Sequence, residues 1–259
     1  MRLLLDESLA SLPITETVRA EFVSLDIPVE IRAGLKAADV GPTDAALINT
    51  GEYGALQETH QLLPNLAVVF DKEGPVVMRT PVRPDEIEQT PIRLIDAGSS
   101  AELLARATVN SFFGIMPEGY LRDEAPDSQA VVVEGAMALT PPEAGFNEDL
   151  TRAWFILTSE AYVSHLLVIP NEASEEERAA LATAADALKT ATVEHRRDVR
   201  TRIVQSTGLD RDRLTALFQA TRWSLETEDR RALLMLLQLG NKSRQAGPYV
   251  SKLQFAGEE

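Results

Sequence analysis

Short apolar runs alternate with amphipathic stretches from the start of the chain to about residue 172. The runs are Arg2–Leu5, Val29–Ile31, Ala45–Ile48, Leu66–Phe70, Val76–Met78, Ile92–Ile95, Val131–Val133 and Leu166–Ile169. They are rich in Val, Ile and Leu, which is typical of strands that helices bury on both faces. Strands that alternate with helices predict an α/β protein with mostly parallel sheets.

Capping chemistry predicts where helices begin. Ser99 with Glu102, and Ser174 with Glu177, have the spacing of a capping box ahead of apolar helical positions. The second box begins a long helix that runs to about residue 205 and ends at Gly208.

Asp210 and Thr227 are the expected N-caps of two further helices, Arg211–Thr221 and Glu228–Leu239. The end of the chain is therefore predicted to be helical, in contrast to the mixed first part.

Prolines indicate two connections between structural units, one at Thr80–Pro84 and one at Pro170, because proline ends regular elements. Two connections predict a chain that leaves a first lobe, builds a second and returns. Residues 1–80 with 170–259 are then the first lobe, and residues 81–169 the second.

The acidic composition excludes several classes of partner. Lys and Arg number 25 against 40 Asp and Glu, so the formal net charge is −15. Such a surface repels nucleic acid, which needs a basic patch. The arginines at 196, 197, 200 and 202 alternate with Glu194 and Asp198 at helical spacing, so they are read as a solvated helix face.

No segment is apolar enough for a secretory leader or a membrane span, so we expect a cytoplasmic protein with no membrane insertion. The chain has no cysteine, and its three histidines lack a partner at helical ligand spacing. His165, beside an apolar run, reads as a core-edge histidine. Phosphate-loop, dinucleotide and hydrolase-elbow motifs do not occur. We therefore expect no metal and no cofactor, and the sequence does not define an oligomeric state.

Ligands of open parallel sheets collect at the carboxyl ends of the strands, where hydroxyls and helix N–H groups favour anions. Four strand-to-helix junctions are candidates: Asp6–Ser11, Asn49–Tyr53, Asp96–Ser100 and Glu134–Met137. The ligand-binding candidates in the first three are Ser8, Ser11, Asn49, Thr50, Tyr53, Ser99 and Ser100.

Each candidate also has a structural interpretation. Ser99 either caps its helix or binds a ligand, and the two roles are compatible. Tyr53 either contacts a ligand or packs in a turn. Glu134 follows Val131–Val133 directly, where a carboxylate serves as a general base if its pKa is raised, or else caps the neighbouring turn.

Several segments resemble, in the same order, those of the menaquinone-biosynthesis family of the futalosine route, whose members include chorismate dehydratase. Asp44–Tyr53 resembles the family's DVALVPSIEY-type segment, and Gly74–Met78 its G-x-V-x-S-V strand. Val131–Leu139 resembles LLIGDxAL, and Asp149–Leu150 with Trp154 resembles DLGxxW.

This resemblance implies a type II periplasmic-binding-protein-like fold, with two α/β lobes, a helical C-terminal segment and a ligand cleft between the lobes. The family's YLNTxPL segment, whose Asn contacts substrate, corresponds to Ser8–Ile14, so Ala10 takes the Asn position. Glu134-Gly135 stands where the family has Gly-Asp. These departures remove hydrogen-bonding groups and indicate a changed ligand or activity.

The sequence thus favours a protein that binds a small molecule, a carboxylate or other anion, in an interlobe cleft. The alternative is an enzyme, a carbon–oxygen lyase like chorismate dehydratase, in which Ser99, Ser100 and Glu134 orient the substrate and assist proton removal. A third reading is an interaction protein with a relic cleft.

Overall fold

The computed structural model describes residues 1–87, 90–122, 128, 130–140, 144–242 and 247–258, which form two mixed sheets covered by helices. The strands are β1 Arg2–Glu7, β2 Val29–Ala33, β3 Asp44–Asn49, β4 His60–Phe70, β5 Val77–Thr80, β6 Ile92–Ile95, β7 Tyr120–Leu121, β8 Ala130–Val133, β9 Phe146–Asp149, β10 Tyr162–Pro170 and β11 Thr221–Arg222. The helices are α1 Leu12–Arg19, α2 Tyr53–Leu56, α3 Ser99–Ser111, α4 Leu150–Thr158, α5 Glu175–Glu194, α6 Arg196–Thr207, α7 Arg211–Gln219 and α8 Asp229–Gly240.

The first sheet has the order β11-β4-β10-β3-β1-β2. β1 runs parallel to β2 and β3, whereas β10 runs antiparallel to β3 and β4. Every residue of β3 and β10 is buried, which explains their continuous apolar sequence.

The second sheet has the order β7-β6-β8-β5-β9. β6 is parallel to β7 and β8, and β5 is antiparallel to β8 and β9. The α/β class and the two-lobed architecture are confirmed, but the sheets are mixed rather than mostly parallel. An apolar run indicates that a strand is buried on both faces. Such burial occurs in parallel and antiparallel strands alike, so the run does not predict strand direction.

The chain crosses between the sheets twice, once after β4 and once after α4. Sheet membership assigns β5 to the second sheet and β10 to the first. The sequence-based division at 80/81 and 169/170 differs, because it places β5 in the first lobe and nearly all of β10 in the second. Pro81 and Pro170 stand at the ends of strands, where proline stops an element without marking a crossing.

The predicted helices form with changes at their ends. The capping box of Ser174 and Glu177 is present, but the long helix breaks at His195, whose ring stacks on Phe22 with 4.4 Å between centroids. The side chain of Asp210 caps α7, accepting from Arg213 N at 2.8 Å.

Two predicted caps are wrong. Gly98, and not Ser99, is the N-cap of α3, and no side chain caps that helix. Glu102 instead bonds Arg106. At α8 the N-cap is Glu228 rather than Thr227.

Helix α3 follows a strand of the second sheet but packs against β10 and α8 of the first lobe. Gly240 of α8 permits this close approach, since a Cβ there would lie 2.6 Å from the carbonyl oxygen of Leu103. The start of α3 is thereby held between the two lobes. In the part of the chain that the structure describes, no helix has both the length and the apolar character needed to span a membrane.

Candidate ligand-binding cleft

The four strand-to-helix junctions converge on one cleft between the two sheets, with a volume of about 560 Å³. Each junction contributes to its lining: Asp6–Leu9, Asn49, Asp96–Gly98 and Glu134–Ala136. Lys36 adds a cation from the first lobe, and Arg122 adds one from the second. Its size is that of a site for a small organic molecule.

A buried network around Asp6 forms one side of the cleft. Asp6 Oδ1 accepts a hydrogen bond from Leu35 N at 2.8 Å, and Oδ2 accepts one from Asn49 Nδ2 at 2.8 Å. His165 Nε2 lies 3.0 Å from the same Oδ2. A carboxylate can only accept, so this contact places a proton on Nε2. Residues from three strands, β1, β3 and β10, therefore form one hydrogen-bonded network within an apolar core.

His165 reaches this position through the register of β10, where it pairs with Asn49 of β3. The pairing of β10 with β4 shifts between Val163 and His165, and such an irregularity re-aims side chains. The imidazole is fully buried, with Ser164 Oγ 3.0 Å from Nδ1 and Ser8 Oγ 3.3 Å from Nε2. Ser8 lines the cleft, so it connects the buried pair to the ligand space.

Glu134 forms the opposing side of the cleft, directly after β8. Its side chain is buried, and Oε2 accepts from Gly98 N at 2.7 Å. Its other oxygen, Oε1, is also buried and has no hydrogen-bond partner among the described residues. Burial raises the pKa of Glu134, and the Gly98 N–H and the charges of His165 and Arg122 only partly oppose this rise. A carboxyl group with such a pKa is suited to proton transfer.

The charge of the cleft is mixed. Lys36 Nζ lies 3.3 Å from Glu52, and Arg122 Nη2 lies 2.9 Å from Glu102, but about half of each cation's side chain remains exposed. Carboxylates outnumber these cations, since Asp6, Glu7, Asp96 and Glu134 also line the cleft.

The candidates predicted from sequence divide into two groups. Ser8, Asn49 and Glu134 line the cleft. The other five lie behind it: Ser11, Thr50, Tyr53, Ser99 and Ser100.

Most of the second group use their polar atoms internally. Ser11 donates to the carbonyl oxygen of Asp6, and Thr50 to that of Val163. Tyr53 Oη accepts from Gln254 N at 3.3 Å.

Ser100 donates to Asn49 Oδ1 at 3.0 Å and lies 2.5 Å from the Ser164 carbonyl oxygen. Ser99 Oγ is buried without a partner among the described residues, in a helix start that packs against Gly51. Ser100 therefore connects the two lobes through hydrogen bonds, and neither serine lines the cleft.

Sequence reasoning missed Asp6, His165, Lys36 and Arg122 as members of the site. Asp6 carries a usable signal, because it is a charged residue directly after Leu3–Leu5 at the carboxyl end of a strand. His165, at the centre of the apolar run of β10, carries the same kind of signal. Lys36 and Arg122 lie in loops and carry none.

A metal centre is not formed by the described residues, since no group of three or more His, Asp or Glu side chains among them could hold an ion.

A sequence model of the menaquinone biosynthesis family matches residues 33–242. The chain belongs to this family. No curated protein matches the sequence.

Solved structures are similar to this family member over nearly the whole chain. Protein AF1704 from Archaeoglobus fulgidus is 17% identical with a TM-score of 0.70, covering 94% of this chain and 97% of its own. The periplasmic aliphatic sulphonate-binding protein SsuA from Escherichia coli is 13% identical with a TM-score of 0.67, covering 96% and 94%. An ABC transporter protein from Parabacteroides distasonis is 13% identical with a TM-score of 0.65, covering 99% and 97%. The fold is that of the periplasmic binding proteins.

The two positions at which the sequence departs from the family segments differ in their relation to the cleft. Ala10, at the Asn position of the family segment, is buried and does not line the cleft. Glu134-Gly135, at the Gly-Asp position, lines it directly. Of these two positions, therefore, only Glu134-Gly135 borders the ligand space.

Proposed function

We propose that the interlobe cleft binds a small organic anion that also carries a hydroxyl group. The buried, unpartnered Oε1 of Glu134 carries this proposal. A buried acceptor without a partner costs about 1–3 kcal/mol, and a ligand hydroxyl that donates to it recovers this cost.

The start of α3 does not serve as the anion site in this proposal. Its first N–H group, that of Gly98, already donates to the Glu134 carboxylate, and the Ser100 hydroxyl is bound to Asn49. Lys36 and Arg122 remain, one from each lobe, and each has a half-exposed charge. A ligand anion held by both cations would draw the two lobes together.

The similar sulphonate-binding protein supports an anionic ligand, because aliphatic sulphonates are organic anions. The ligand class for this chain is then a hydroxylated carboxylate or a related acid. We expect this site in a cytoplasmic protein, with neither nucleic acid nor membrane as partner.

Chorismate, a hydroxylated dicarboxylate, tests this proposal against benzoate, which lacks the hydroxyl. Thermal denaturation should show stabilisation by chorismate, reaching about 2.7 kcal/mol at 100 times its dissociation constant. Lys36→Gln and Arg122→Gln should each reduce the affinity for both acids. Glu134→Gln should weaken only chorismate, by about tenfold or more, since a charge-assisted hydrogen bond is lost.

Lys189→Gln is the matched control. Lys189 lies on α5, where it pairs with Asp186 and does not line the cleft, so its replacement should leave the affinity unchanged. Equal affinity of the wild-type protein and the Lys36 and Arg122 variants would rule out the assigned anion contacts. Absence of stabilisation by any hydroxylated acid would rule out the proposal.

A carbon–oxygen lyase like chorismate dehydratase is the second candidate, and the raised pKa of Glu134 favours it. Dehydration needs one group to remove a proton from carbon and one to protonate the departing hydroxyl. Glu134 is the group proposed to move a proton, and the Asp6–His165 pair reaches the ligand space through Ser8.

Loss of chorismate absorbance in the ultraviolet tests this activity. Turnover by the wild-type protein that falls at least 100-fold in Glu134→Gln, with chorismate still bound, is the expected result. Binding of chorismate without turnover at high protein concentration would support the binding function and rule out the lyase activity.

A further inference from the structure

A second cavity, of about 480 Å³, lies among α1, α6 and α7 and shares no lining residue with the cleft. We name it the arginine cavity, after the residues that carry its chemistry: Arg196, Arg197, Arg200, Thr215, Phe218 and Trp223. The sequence predicts a solvated face for these arginines. The structure places three of them along a concave surface, while Arg202 lies 3.5 Å from Glu16 instead.

Arg200 is held in a fixed orientation. Its Nη1 donates to Thr215 Oγ1 at 2.9 Å, and this hydroxyl donates in turn to the carbonyl oxygen of Arg211 at 2.7 Å. Its Nε is buried and has no hydrogen-bond partner among the described residues. The Nε edge of the guanidinium is the edge that binds carboxylates and phosphates with two parallel hydrogen bonds.

The cavity has positive charge without compensation. Within the part of the chain that the structure describes, Arg196, Arg197 and Arg200 make no ion pair, and no acidic side chain lines the cavity. These three arginines form a locally positive surface in a chain with a formal net charge of −15. An oxyanion would neutralise them.

Two aromatic side chains contribute to the rest of the lining, together with smaller apolar and polar residues. Phe218 and Trp223 are half-buried and face the same space as the arginines. Aromatic walls bind rings, and a volume of this size accommodates a small organic molecule.

We propose that the arginine cavity is a second binding site, specific for a small organic anion that joins a planar or phosphate-type oxyanion to an apolar ring. The oxyanion binds the Nε edge of Arg200 and is surrounded by Arg196 and Arg197. The ring lies against Phe218 and Trp223.

Calorimetric titration of the full chain with phenyl phosphate tests this site, with inorganic phosphate as the comparison. Phenyl phosphate should bind at least about tenfold more tightly than inorganic phosphate, because only the former buries a ring. Arg200→Gln should weaken phenyl phosphate by about tenfold or more. Arg200→Lys keeps the charge but loses the two-donor edge, so its affinity for phenyl phosphate should lie between those of Arg200→Gln and the wild type.

Two controls locate the site. Arg202→Gln changes an arginine of the same helix that pairs with Glu16, and Lys36→Gln removes one of the two cations that line the interlobe cleft. Both should bind phenyl phosphate within twofold of the wild type. Arg196→Gln with Arg197→Gln changes two exposed residues, so this variant should fold normally and lose affinity.

Several outcomes would overturn the proposal: no binding of phenyl phosphate at millimolar concentration, equal affinity for inorganic phosphate, unchanged affinity in the Arg200 or Arg196/Arg197 variants, or loss of binding in Lys36→Gln. Loss of binding in Lys36→Gln would show that phenyl phosphate binds in the interlobe cleft. Loss only in the arginine variants establishes the second site whether or not the cleft binds chorismate.

Discussion

Glu134 has one carboxylate oxygen bonded to Gly98 N and one buried without a partner among the described residues. Its position after a buried strand was the basis for predicting a general base, and the structure places it at the wall of the cleft. Asp6 and His165 on the other side are satisfied by each other and by Asn49. Of Asp6 and Glu134, therefore, only Glu134 has a buried carboxylate oxygen without a partner that a ligand could engage.

The pKa of Glu134 predicts how stability depends on pH. Burial raises this pKa above the ordinary 4.5, so the folded chain holds a proton that the unfolded chain has already lost. The wild-type protein should lose stability as pH rises from 4.5 through the raised pKa. Glu134→Gln removes this loss, so its melting temperature relative to wild type should increase from pH 4 to pH 8.

Glu172→Gln is the matched change at an exposed glutamate. Its difference from the wild type should stay constant across the same pH range. A constant difference for Glu134→Gln as well would contradict the assigned burial effect.

At the scale of elements, two identical sequence signatures have different outcomes. Ser174 with Glu177 forms the capping box of α5, with Ser174 Oγ accepting from Glu177 N at 3.2 Å. Ser99 with Glu102 does not, because α3 begins one residue earlier, with Gly98 as its N-cap. Glu102 is drawn away by Arg106 and Arg122. An ion pair within α3 and one with the loop residue Arg122 therefore engage the carboxylate that the capping box would need.

Two single variants, in which either Ser174 or Ser99 is replaced by alanine, distinguish these outcomes. Ser174→Ala should lower the free energy of unfolding by about 1 kcal/mol, because an N-cap hydrogen bond is lost. Ser99→Ala should be neutral or slightly stabilising, since its buried hydroxyl has no partner to lose. Urea denaturation of the two variants measures both values, and an equal loss for Ser99→Ala would show that Ser99 caps α3 after all.

At the scale of the whole molecule, two glycines let the lobes approach. A Cβ on Gly98 would overlap Asn49 Oδ1 and come within 3.3 Å of Glu134 Oε2. A Cβ on Gly51 would lie 2.6 Å from atoms of Ser99. The two lobes therefore touch directly at the base of the cleft. The backbone of Gly98 meets the side chain of Asn49, and the backbone of Gly51 meets Ser99.

Gly98→Ala should push these groups apart. We expect a loss of about 1–3 kcal/mol in the free energy of unfolding, as is usual for overpacking, together with a larger radius of gyration in small-angle scattering. Gly119→Ala is the control, since its Cβ would meet only Leu121, at 3.7 Å. Identical stability and size of the two variants would rule out Gly98 as the point of close approach.

The sequence by itself determined the features that depend on neighbouring residues. All eight apolar runs overlap strands, the caps at Ser174 and Asp210 are present, and the four junctions that converge on the cleft were identified as strand ends. Burial of a run and the capping of a helix are local, so a single stretch of sequence contains them. The order of family segments was also sufficient to predict the two-lobed fold.

Only the tertiary structure decided strand direction, the contacts of Asp6 with Asn49 and His165, and the grouping of the arginines in a second cavity. Asp6, Asn49 and His165 are far apart in the chain and meet because strands β1, β3 and β10 are consecutive in one sheet. The arginine cavity forms because α6 packs against α1 and α7. Their distances follow from packing of the whole core, and no local pattern encodes them.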